Sequence, residues 1–87
     1  MYTSKKTFRK WQSEFNEAVR KQDVQGFRKF YEKWRYLGIY ASPLPDDDKM
    51  LEISLRKMLF NMASATDQEK RQAEQWLMSR GYSTSLR

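Results

Sequence analysis

Residues 27–40 read FRKFYEKWRYLGIY, a run in which aromatic and basic side chains alternate. At about 100° per residue on an α-helix, Phe27, Phe30, Tyr31, Trp34 and Leu37 fall on one arc roughly 120° wide. The run is therefore an amphipathic helix with an aromatic keel. Arg28 and Arg35 lie along one edge of that keel and Lys29 and Lys33 along the other, with Glu32 and Tyr36 between them on the far side.

Towards the N-terminus, Phe8, Trp11, Phe15, Ala18 and Val19 form a second apolar stripe. It predicts a helix over residues 4–22, capped by Thr3 or Ser4. Extending that stripe at the same spacing meets Gln22, Gln25 and Lys29, whereas the keel restarts at Phe27. The helical phase slips, so the chain must break between them. Asp23 is the natural N-cap of a second helix over 24–37, and so short a connection folds the two helices against each other. Gly38 is the expected stop of that helix. The connector that follows, IYASPLP, is apolar, and Ile39, Tyr40 and Leu44 are expected on the body of the domain.

Towards the C-terminus, Asp46, Asp47 and Asp48 put negative charge where a helix dipole is positive, which predicts a third helix over 46–64. Leu51, Leu55, Met58 and Met62 make its core stripe, with Leu59 at the border. Met50, Ile53 and Phe60 point almost the opposite way. That second stripe needs a cover, either the connector, a fourth helix or a partner protein. Thr66-Asp67-Gln68-Glu69 spells a capping box, followed by a helix over 67–80 that ends at Gly81, with Ala73, Trp76 and Leu77 facing inward. Residues 82–87 read as a fraying tail. The expected fold is all-α, a compact four-helix bundle-like single domain over residues 1–87 with the third helix at its centre.

A chain of 87 residues buries only about 60–65% of its unfolded surface, so its core must be rich in large side chains. Five Phe, three Trp, five Tyr and five Met meet that need. The absence of Cys and His rules out disulfides, thiol and imidazole chemistry, and zinc sites of the usual ligand types. The three adjacent aspartates are explained by a helix start without metal, and with only three Gly there is no glycine-rich phosphate loop. A non-enzymatic protein without cofactor or metal is expected. Lys5, Lys6, Arg9 and Lys10 interrupt the first apolar positions, and no apolar run approaches membrane-spanning length. A cytoplasmic protein with no membrane partner is the expectation.

The net charge is +6, and all of the excess lies in residues 1–38, which hold ten Lys/Arg against four acids. Most of the aromatic rings lie there too. Such a field attracts a polyanion or an acidic protein surface. The expected binding set is Lys6, Arg9, Lys10, Arg20, Lys21, Arg28, Lys29, Lys33 and Arg35, with Tyr36 as an off-keel ring able to face a ligand. Phe8, Trp11, Phe15, Phe27, Phe30 and Trp34 are assigned to the interior instead of to a base-stacking platform. The first expectation is nucleic-acid binding, DNA or RNA, through phosphate contacts on the first two helices. Its rival is a protein-binding adaptor or inhibitor, or a homodimer, that uses Met50, Ile53 and Phe60 or the basic surface. Helices three and four have the outline of a helix-turn-helix, but Asp67 and Glu69 would repel phosphates at the start of its reading helix.

Overall fold

The computed structural model describes residues 5–35 and 44–86. They form α1 (Lys5–Lys21), α2 (Val24–Trp34), α3 (Asp48–Asn61) and α4 (Asp67–Ser79), the all-α, four-helix bundle-like arrangement that the apolar periodicity predicts. Thr3, Ser4, Tyr36, Gly38, Ile39 and Tyr40 lie outside the described residues.

Local chemistry sets each junction. The break between α1 and α2 falls on Gln22, whose φ of 53° is left-handed. Its side-chain Nε2 donates to the Val19 carbonyl at 2.6 Å and to the Leu55 carbonyl at 3.0 Å, which stitches the turn to the middle of α3. Asp23 is the N-cap of α2 by backbone conformation, although its side chain makes no cap bond. α3 begins two residues later than the aspartate run suggests, because Asp47 itself caps it, accepting from the Lys49 N–H at 2.8 Å. Thr66 and Glu69 form the reciprocal capping box of α4. Gly81, at φ +81°, closes that helix with the Gly81 N–H donating to the Met78 carbonyl and the Tyr82 N–H to the Leu77 carbonyl. This is the paired-bond stop that left-handed glycine permits.

α3 packs against each of the other three helices, while α4 packs closely against α3 and meets α1 only where Glu69 faces Arg20, among the described residues. Leu51, Leu55, Leu59 and Met62 of α3 are buried with Val19 of α1, Phe27, Phe30 and Trp34 of α2, and Ala73 of α4. Leu44 is half-buried against this core. The second α3 stripe is covered in part. Ile53 lines a hollow with Trp76, Arg80 and Tyr82, so the end of α4 lies beside it. Ile53 and Phe60 are half-buried, and Met50 remains exposed. The segment after Gly81, which reads as a tail in the sequence, meets α3 where Asn61 Nδ2 donates to the Thr84 carbonyl at 2.9 Å.

One assignment to the interior is corrected. Phe8 is 47% exposed, and Trp11 and Phe15 are half-buried. Helix lengths supply the reason. α1 has 17 residues, α2 has 11 and α3 has 14, or about 26, 17 and 21 Å at 1.5 Å per residue. α1 runs antiparallel to α2, with Phe15 against Phe27 and Trp11 against Phe30. It is also antiparallel to α3, with Gln22 at Leu55 and Trp11 to Asn16 beside Met62 to Ser64. Among the described residues, α3 ends near the level of Trp11, and the first two turns of α1 extend past it.

Phe30 touches Trp11, Phe15 and Phe27 at ring-centroid distances of 6.5, 6.1 and 5.6 Å. Phe30→Ala is expected to cost about 3–5 kcal/mol, whereas Phe8→Ala, on the projecting turn, should cost about 1 kcal/mol or less. Urea unfolding of both variants checks this, and equal losses would mean that the projecting turn is part of the core.

Candidate functional site

Nine of the ten sequence-derived binding residues lie among the described residues and divide into two groups. Arg28 is held by Asp48, with Nη2 at 2.9 Å and Nε at 3.2 Å from Oδ1, and Nη2 also donates to the Asp46 carbonyl at 3.1 Å. This latch ties α2 to the start of α3. Arg20 reaches across to the α3–α4 turn, where it donates to the Ser64 carbonyl and faces Glu69 at 3.6 Å. Lys33 donates to Glu14 at 2.7 Å. Lys21 pairs with Glu17 at 3.8 Å and Arg35 with Glu32 at 3.4 Å, both within a single helix. Tyr36 lies outside the described residues.

Among the described residues, Lys6, Arg9, Lys10 and Lys29 form no ion pair, and neither does Lys5. All five are exposed. Lys5, Lys6, Arg9 and Lys10 share the projecting first two turns of α1, where no acidic residue occurs before Glu14. Cations at the positive end of a helix dipole lose about 0.3–1 kcal/mol apiece, so helix stability gives no reason for their presence. Phe8 stands exposed in their midst, its ring 5.5 Å from Trp11, which in turn stacks 5.3 Å from Phe15.

The cations of α1 and α2 are not one continuous sheet. A cleft of about 480 Å3 runs between the two helices, lined by Glu14, Glu17 and Asp23 beside Lys21, over Ala18, Gly26 and Phe30. Three carboxylates there would repel phosphate. The basic surface is thereby concentrated at the start of α1.

Known protein families, curated proteins and solved structures yield no significant match to this chain. Function must be read from the geometry.

Two features of the surface are not visible in the sequence pattern. The Trp76 ring is flanked by the guanidiniums of Arg80, one turn on, at 4.2 Å and of Arg56 at 5.0 Å, and the second contact depends on how α4 crosses α3. A smaller groove of about 290 Å3 opens between α1 and the end of α3, lined by Trp11, Gln12, Phe15, Asn16, Met62, Ala63 and Ser64. Gln12 and Asn16 stand one turn apart on α1, the spacing that could have drawn attention to them. Met50, Ile53 and Phe60 do not form an exposed stripe, since Met50 is exposed and the other two are half-buried.

Two carboxylates titrate below the ordinary range. Glu14 is lowered mainly by the Lys33 hydrogen bond, with partial burial opposing, and further by the Trp34 Nε1–H bond at 3.2 Å and the charges of Lys33 and Lys10. Glu69 is lowered mainly by the Thr66 backbone N–H, again against partial desolvation, with help from Arg20. A carboxylate depressed in the fold stabilises it above the unfolded value, and that contribution is lost as pH falls through the folded value. Stability should therefore decline from about pH 5 downward. Thermal melts across that range should show a smaller acid loss for Glu14→Gln than for the parent protein, and an unchanged acid limb would remove Glu14 from the account.

Proposed function

We propose that the protein is a non-enzymatic nucleic-acid-binding protein whose phosphate contacts centre on Lys5, Lys6, Arg9 and Lys10, with Lys29 as a flanking cation. The observation that supports this reading is the unpaired cluster on the projecting turns of α1, with an exposed ring among its charges. Phosphate backbones take their affinity from such cations through counterion release. Among the described residues, this end of α1 lies past the last turn of α3, where its exposed cations can meet a polyanion.

The paired cations differ in what they can add. Exposed ion pairs are worth about 0–1 kcal/mol, so Lys21 and Arg35 can exchange their carboxylates for phosphate at little cost. Arg28 and Arg20 also hold backbone carbonyls. Those two are fastenings of the fold and contribute only long-range field.

Fluorescence anisotropy with labelled oligonucleotides at two salt concentrations tests the reading. Four or five phosphate contacts give a log–log slope of about −3 on single strands. Lys6→Glu with Arg9→Glu should weaken binding by at least about tenfold and leave helix content unchanged, whereas Lys21→Glu with Arg35→Glu should do less. Absence of binding to any nucleic acid at low salt would overturn the proposal and favour a protein partner, whose apolar interface would respond little to salt.

A further inference from the structure

We propose that the groove between α1 and the end of α3 receives an unpaired base, so that the ligand is a single strand laid along one edge of α1. This rests on the nucleic-acid reading above and goes beyond it by naming the form of the ligand. The groove has a volume of about 290 Å3, close to the lower end of the roughly 300–1,000 Å3 of small-ligand sites. Trp11, Phe15 and Met62 give it apolar walls, and the amides of Gln12 and Asn16 stand at its rim. Among the described residues neither amide makes a hydrogen bond. Each carries a donor and an acceptor on one planar group, which matches the hydrogen-bonding edge of a base.

The same edge of α1 supplies the other requirements of a single-strand site. Phe8 lies one turn before Gln12, and its exposed ring offers a stacking face for the neighbouring base. Lys5 adjoins Phe8 along the helix surface, and Arg9 adjoins Lys5 and Gln12, which sets both cations beside the phosphates that link two such bases. A duplex could use the cations but not the rest. Its bases are stacked on one another, so they present no face to Phe8, and they cannot leave the stack to enter the groove without the cost of unpairing. Ring, amides and groove therefore distinguish an unpaired strand from a paired one.

The test is a titration of the full chain with labelled strands of about 12 nucleotides, within the range of single-strand site sizes. The arms are homopolymeric DNA, homopolymeric RNA and a duplex of the same length, all at low salt. Single strands are expected to bind at least about tenfold more tightly than duplex. Phe8→Ala, and separately Gln12→Ala with Asn16→Ala, should each reduce single-strand affinity about five- to tenfold while leaving duplex binding and helix content unchanged. A preference for the RNA arm or the DNA arm would identify the sugar, and either result upholds the site. Equal affinity for single strand and duplex overturns the inference. So does full single-strand affinity in both variants; if Lys6→Glu with Arg9→Glu still abolishes binding, phosphate contact survives without a base site. No binding in any arm overturns both readings together.

Discussion

Phe27, Phe30 and Trp34 bury one face of α2 against α1 and α3, and the placement of α1 follows from that wedge. Each such side chain removed from water is worth about 1.5–3 kcal/mol, a large share of the net stability of a small domain. The keel is only three turns long. α1 is longer than the surface the keel offers it, and its excess length projects. A single geometric mismatch thus accounts for both the exposure of Phe8 and the accessibility of the cations around it.

Charge then sorts itself by position. Where helices adjoin, cations meet carboxylates: Arg28 with Asp48, Lys33 with Glu14, and Arg20 with Glu69. These contacts join segments 19 to 49 residues apart in sequence, and they fix the lateral placement of helices whose apolar ridges alone would allow some sliding. On the first two turns of α1, Lys5, Lys6, Arg9 and Lys10 form no ion pair among the described residues, although Glu14 feels the charge of Lys10. The division between fastening and binding cations is a consequence of packing, with the acidic α1–α2 cleft as its boundary.

Much of the fold is legible in the sequence because it is written in local codes. The phase slip between Val19 and Phe27 locates the first turn, the Thr66–Glu69 spacing locates the last helix start, and Gly81 its end. Core identity of Leu51, Leu55 and Met62 follows from periodicity, whereas Leu59, at the border of that stripe, is buried and Met58 is only half-buried. The binding surface was less legible, since the sequence assigns Arg28 and Lys6 the same standing. Which cation finds an acid depends on contacts across the fold, such as Arg28 with Asp48, that no periodicity encodes. Phe8 fits the interior stripe perfectly by angle. What exposes it is the relative length and register of three helices, a tertiary property. Gln12 and Asn16 gain meaning only when Met62 to Ser64 come to lie beside them.

The proposed function therefore lies at the first turns of α1, whose cations are exposed among the described residues, and the proposed partners depend on that location. Backbone amide chemical-shift mapping with an unpaired oligonucleotide tests it most directly. The largest shifts should fall on Lys5 to Asn16 and on Ala63 and Ser64, with Arg28 and the α4 surface unmoved. Shifts centred instead on Arg28 and Arg35, or on Met50 and Tyr82, would contradict the account.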